Sequence, residues 1–142
     1  MFEILSFLLD HWALSGLLVC LFMYLMYLES ENKLYGIVQF KPSELVSALN
    51  HQHAVLVDVR EAAEFKSGHI AGARNIPGID PQVAAKKLTK SKAKPVVFYG
   101  LASVHKMAQF ALKVKQSGFS DVHILEGDLP AWNKEGYPLV TE

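Results

Sequence analysis

The sequence predicts an α/β domain with a mostly parallel sheet, preceded by one N-terminal transmembrane helix. Three observations carry that prediction. Seventeen residues from Trp12 to Leu28, WALSGLLVCLFMYLMYL, pass without a charge. Further on, short apolar β-branched runs alternate with helical patterns, the order of a βαβα chain. Between the two, composition changes at Glu29, where the polar segment ESENKLYG begins. The 142 residues are one domain's worth. The chain is therefore divided into 1–32, an anchor with its linker, and 33–142, the domain.

The anchor comes first. At 1.5 Å per residue the uncharged run is ~25 Å long, near the lower limit for crossing a bilayer core. A longer reading, Ile4–Leu28, takes in Asp10 and His11. A cleaved signal peptide would need a positive n-region and a small-residue cleavage site. Here the flanks carry Glu3 and Asp10 on one side and MYLES on the other. A buried helix of a soluble protein is the other alternative. Trp12 at one end and Tyr24 and Tyr27 at the other suit an aromatic belt, and favour an uncleaved span ending at Leu28. Ala13, Gly16 and Cys20 share one face, which would let a second helix approach closely. Self-association or docking on another membrane protein is expected through it.

Charge sets the expected orientation. Residues 1–32 hold four acids (Glu3, Asp10, Glu29, Glu31) and no Lys or Arg. All fourteen Lys and Arg lie in 33–142, with ten acids, so that part is +4. Lys33 and then Lys41 follow the span. Basic residues near the ends of a span stay inside, so an outside N-terminus and a cytoplasmic domain are expected. The single cysteine, Cys20, permits no disulfide within the chain and agrees with a reducing compartment.

The domain's elements follow in order. Gly36–Gln39 is a short strand. Pro42–Leu49 is a helix with Pro at its first position, where the missing N–H costs nothing. Ala54–Val57 is apolar on both faces, as a central parallel strand requires. Ala62–Lys66 is a helical turn and Ala73–Ile76 a short strand. Pro81–Leu88 is a helix with Asp80 as N-cap. Val96–Tyr99 is a second buried strand. Val104–Ser117 is a longer helix whose apolar face is Val104, Met107, Ala108, Ala111 and Leu112. Gly118 stands where the chain must turn left-handed. Val122–Leu125 is a strand and Asp128–Lys134 a last short helix.

Three blocks carry a family resemblance over about residues 36–142. They are Asp58-Val59-Arg60 with Glu64-Phe65, then Gly68-His69-Ile70-x-Gly72-Ala73 leading to Asn75-Ile76-Pro77, and Leu125-Glu126-Gly127-Asp128-x-x-Ala131-Trp132 before Gly136-Tyr137-Pro138. Together, in this order, they resemble the rhodanese (sulfurtransferase) domain, and imply its three-layer fold. The chain resembles the bacterial proteins in which one such domain follows an N-terminal membrane helix, which implies the inner membrane as its location. Each block also reads structurally. Asp58 can cap the turn after its strand, and Arg60 can pair with Glu61 or Glu64. His69 suits a hydrogen-bonded structural role, and Trp132 a packing anchor with its indole N–H satisfied.

The resemblance also implies where chemistry would be. In the family a cysteine after the Val96–Tyr99 strand accepts sulfur as a persulfide, within a cradle of backbone N–H groups. Here that loop reads Gly100, Leu101, Ala102, Ser103, Val104, His105, Lys106. Gly100 stands in the cysteine's place, Ser103 in a glycine's and His105 in an arginine's. The implied consequence is a domain without sulfur-transfer chemistry and without catalytic residues of its own. Ser103 beside His105 reads better as an N-cap and a first-turn residue than as a nucleophile and its base.

Binding is therefore the expected work: a protein-interaction or regulatory module tethered to a lipid bilayer. The competing readings are a sulfurtransferase that borrows a partner's thiol, and a sensor holding a weak anion such as sulfate or phosphate at residues 100–106. No cofactor and no metal site are expected. His51 and His53 flank Gln52 without a third ligand nearby in sequence. The run KKLTKSKAK, with Lys86, Lys87, Lys90, Lys92 and Lys94, reads as a solvated surface or one that meets anionic headgroups. Without interleaved aromatics, no nucleic acid is expected.

Overall fold

The computed structural model describes residues 1–33 and 36–142, and the chain forms two compact units that divide after Leu34. In the first unit, α1 (Phe2–Asp10) and α2 (Trp12–Lys33) are separate helices. The uncharged run from Trp12 thus begins where α2 begins, and only the longer reading, Ile4–Leu28, crosses the break between the helices. The interruption is at His11, which leaves the helical region at φ −116° and ψ 39°. Its ring nitrogen Nδ1 lies 3.2 Å from the Phe7 carbonyl, and its ring stacks on Phe7. Within α2, Trp12–Ser30 is long and apolar enough to cross a membrane, and no part of it is buried. Glu29–Lys33, the first part of the expected linker, is helical and continues α2. The remaining linker positions 34 and 35 lie outside the described residues.

The second unit is a parallel five-stranded sheet with helices on both sides. Its strands are β1 (Val38–Phe40), β2 (Val55–Asp58), β4 (Arg74–Asn75), β5 (Val96–Tyr99) and β6 (Val122–Leu125), in the order β1-β6-β5-β2-β4. A two-residue antiparallel pair, β3 (His69–Ile70) with β7 (Leu139–Val140), lies apart from the sheet. The helices are α3 (Pro42–His51), α4 (Ala62–Ser67), α5 (Pro81–Lys87), α6 (Val104–Gln116) and α7 (Asp128–Lys134). The expected elements of the domain are all present, with ends shifted by one or two residues. Strand β1 begins at Val38 rather than Gly36, because Gly36 adopts φ +63°.

Alternating side chains on each strand point to opposite layers. Val57, Val96, Phe98, Val122 and Ile124 pack against Ala84, Leu88 and α6. Leu56, Val97, Tyr99 and Leu125 pack against Leu45 of α3 and Trp132 of α7. The centre of the sheet is thus dry on both faces, as its continuous apolar runs require. One expectation for α6 needs correction. Its buried face is Met107, Ala108, Phe110, Ala111 and Val114, while Val104 is exposed and Leu112 only half-buried. The helix is rolled toward Phe110, whose ring meets Phe98 edge-on at 5.0 Å. Burying a side chain such as Phe110 contributes roughly 1.5–3 kcal/mol.

The caps behave as their chemistry predicts. The Asp80 carboxylate accepts from the Gln82 N–H at 2.9 Å and starts α5. The Ser103 hydroxyl accepts from the Lys106 N–H at 3.4 Å and starts α6. Gly118 takes φ +103° just beyond the end of α6.

Candidate functional site

In a parallel sheet the carboxyl ends of neighbouring strands lie side by side, and the loops that leave them form the usual place for a ligand. Here β2 ends at Asp58 and β5 at Tyr99, which are register partners. The loop after β5, the corner after β2 and the start of α7 after β6 therefore meet at one end of the sheet.

The corner after β2 is closed by its own charges. Asp58 is fully buried, yet each of its oxygens has donors. The Arg60 backbone N–H donates to Oδ1 at 2.8 Å, and the Arg60 guanidinium donates to both oxygens at 2.7–3.1 Å. Arg60 Nη2 also donates to the Gly68 carbonyl at 2.6 Å. The hydrogen bond to Asp58 holds the guanidinium pKa above its ordinary value, against the opposing effect of burial. Asp58 thus caps its turn as expected. Arg60, however, is paired with Asp58 and not with Glu61 or Glu64, because only Asp58 is buried and short of donors. Asn75 Nδ2 donates to the Asp58 and Arg60 carbonyls and ties β4 to the same corner.

His69 is buried behind this corner. Its Nδ1 lies 2.7 Å from the Phe65 carbonyl, and its ring stacks on Phe65 at 3.7 Å, so its role is structural. The Ile70 N–H donates to the Tyr99 hydroxyl, and burial pushes that phenol's pKa well up. The Trp132 indole N–H donates to the Pro138 carbonyl at 3.2 Å.

The loop after β5 is held by another device. Gly100 sits at φ +117°, a region that side chains avoid. A Cβ there would come within 2.9 Å of Arg60 Cγ and 3.1 Å of Asp58 Oδ1. The Gly100 N–H donates to Asp128 Oδ1 at 3.0 Å, and the same oxygen accepts from the Leu129 N–H at 2.8 Å. Asp128 itself adopts φ +55°, following Gly127 at +71°. Burial raises the Asp128 carboxyl pKa, and the two N–H groups only partly offset it. Sequence reasoning missed this clasp. It placed Asp128 only at the start of a helix, and a bond across 28 residues has no local pattern.

Between these parts lies a cavity of about 380 Å³. Gly100, Leu101, Ala102, Val104 and Met107 line one side, and Leu125, Gly127, Asp128, Leu129 and Pro130 line the other. Asp128 is the one charged residue of its lining. His105 and Lys106, in the first turn of α6, are exposed. Cys20 is on α2, in the other unit. Among the described residues no group of three or more His, Cys, Asp or Glu is placed to hold a metal ion. His51 closes α3 with Nδ1 near the Ser47 carbonyl, and His53 sits in a turn at φ +53°.

Comparison with known proteins agrees with this architecture. The Rhodanese-like domain family matches residues 41–135. YibN, an uncharacterized protein of Escherichia coli K12, is 32% identical over 100 residues, covering 68% of each chain. The thiosulfate sulfurtransferase GlpE of Pseudomonas fluorescens is 32% identical over 97 residues, covering 68% of this chain and 85% of its own. The solution structure of the rhodanese-like domain of the Anabaena protein Alr3790 superposes with a TM-score of 0.61 at 27% identity. That match covers 73% of this chain and 79% of the other.

Proposed function

The chain belongs to the rhodanese-like domain family, and from that premise we propose that it is a membrane-tethered member which does not transfer sulfur and works by binding, as a protein-interaction or regulatory module. One observation carries the reading. Position 100 has no thiol, and neither its backbone nor its neighbours leave room for one. The only cysteine, Cys20, lies outside the matched residues 41–135. The names of relatives such as GlpE speak for sulfur transfer in the family, and Gly100 speaks against it here. An anion sensor is the weaker alternative. The Gly100 and Lys106 N–H groups are already engaged, and the Asp128 carboxylate lines the cavity an anion would enter.

The tether in this proposal is the span Trp12–Ser30, in the inner membrane, with the N-terminus outside and the domain in the cytoplasm. The absence of Lys and Arg before the span, and Lys33 after it, support that orientation. The partner is a second membrane protein or a second copy, met through the Ala13–Gly16–Cys20 face. The test has two readouts on the full chain. Sulfur transfer from thiosulfate to cyanide should stay at the level of a blank, and turnover above it would overturn the reading. Crosslinking in intact membranes should recover a partner with the parent and with Leu18→Ala but not with Gly16→Leu. Equal recovery for all three would leave the helix a passive anchor.

A further inference from the structure

Positive charge without acids beside it in sequence is concentrated on one side of the sheet. From Pro81 to Ser120 the chain has eight lysines and no carboxylate. They are Lys86, Lys87, Lys90, Lys92, Lys94, Lys106, Lys113 and Lys115, and all are exposed. This stretch builds α5, the turn after it, β5 and α6. Helices α5 and α6 pack together and over the same side of the sheet, through Ala84, Leu88 and the buried face of α6. The opposite layer is mixed. Exposed Lys41, Lys66 and Lys134 there sit among Glu44, Glu61, Glu64 and Glu135. The acids bordering the lysine face are committed locally: Asp80 caps α5, and Asp121 pairs with His123.

The face is not merely basic. Ile79 and Val83 are exposed beside it. Ile79 and Pro81 line a shallow depression with Lys106, Gln109, Phe110 and Lys113. Exposed apolar side chains beside Lys106 and Lys113, with the neighbouring Asp80 carboxylate engaged in capping α5, match an anionic bilayer surface: the amines meet headgroups and the apolar groups reach the layer beneath. A soluble polyanion would use the amines and leave Ile79 and Val83 unexplained. The same chain carries Trp12–Ser30, long and apolar enough to cross a membrane. Tethering converts a weak surface affinity into an intramolecular one at high effective concentration. We infer that the α5–α6 face docks on anionic lipid headgroups. The inference rests on the proposed tether.

Lysine acylation rates on the full chain test it, because the domain supplies its own controls. The chain is incorporated into nanodiscs of phosphatidylcholine, with and without phosphatidylserine. A lysine held near an anionic surface gains about fivefold in local partition, and a comparable slowing of labelling is expected. It should appear at Lys86, Lys87, Lys90, Lys113 and Lys115 with phosphatidylserine, should be absent at Lys41, Lys66 and Lys134, and should vanish at high salt. Replacing Lys86, Lys87 and Lys90 with Gln, all exposed, should release Lys113 and Lys115 from protection. Equal rates in both discs, or equal slowing of both lysine sets, would overturn docking. So would the same protection produced in neutral discs by inorganic phosphate or duplex DNA. A chain that enters neither disc would overturn the tether itself, a result separate from one that inserts and shows no protection.

Discussion

The corner at the end of β2 and the loop at the end of β5 lie side by side, yet they are held in different ways. The corner is held by charge. Asp58 is fully buried and its oxygens are filled by Arg60, which also reaches the Gly68 carbonyl. The loop is held by backbone. Gly100 turns through φ +117° and hands its N–H to Asp128. The corner carries Asp58, Val59 and Arg60 of the family resemblance, and the hydrogen bonds just named tie them into the fold. The loop carries Gly100, which has no side chain. The two parts are adjacent and close, since a Cβ at Gly100 would come within 2.9 Å of Arg60 Cγ, and a shared fold does not by itself carry a shared chemistry.

The largest effect should come from breaking the corner. Asp58→Ala leaves the Arg60 guanidinium, only 16% exposed, without its counter-ion. Removing one partner of such a pair costs about 3–5 kcal/mol. Native-state amide exchange in β2 and β5 of the full chain reads this as a lower opening free energy. Protection equal to the parent would mean that the corner does not depend on the ion pair, and the contrast with the loop would dissolve.

A smaller effect is expected from returning the family's nucleophile. Gly100→Cys must either hold a side chain at φ +117° against Arg60 or rearrange the loop. The backbone strain alone is worth roughly 1–3 kcal/mol. Gly100→Ala should cost about as much, since the Cβ and not the sulfur causes it. Neither variant should transfer sulfur from thiosulfate to cyanide. A Gly100→Cys chain as stable as the parent, with robust turnover, would show that the loop readily adopts a nucleophile-bearing form.

The two regions also differ in how far they were legible in the sequence. Elements driven by local pattern were readable: β2 and β5 from apolar β-branched runs, α5 from Pro81 behind Asp80, α6 from Ser103 and its periodic face. The position of Gly100 was readable too, since it directly follows the apolar strand Val96–Tyr99. What escaped were features fixed by distant partners. The β3–β7 pair has two residues on each side and exists only because the tail returns to His69–Ile70. The pairing of Arg60 with Asp58 depends on which carboxylate is buried, and neighbours in sequence do not reveal that. The roll of α6 toward Phe110 was set by the ring of Phe98 below it.

The smallest expected effect concerns the charge on the clasp that holds the loop to the start of α7, and it depends on pH. Asp128 has its carboxyl pKa raised by burial above an ordinary value of about 3.8. The folded chain therefore binds the proton more readily than the unfolded chain. Its charged form weakens the fold above the raised value, and that penalty is relieved as pH falls toward 3.8, with no further change below. Asp128→Asn keeps an oxygen for the Gly100 and Leu129 N–H groups and carries no charge. It should be slightly more stable than the parent at neutral pH, and the gap should close on acidification through the raised pKa. Asp128→Ala, which removes the acceptor, should instead cost about 1–3 kcal/mol at neutral pH, through two unpaired N–H groups. Amide exchange at Gly100 and Leu129, followed across pH in all three chains, separates these outcomes. A gap between parent and Asn variant that stays constant with pH would mean that burial does not perturb Asp128, leaving the clasp a plain hydrogen bond with no electrostatic cost.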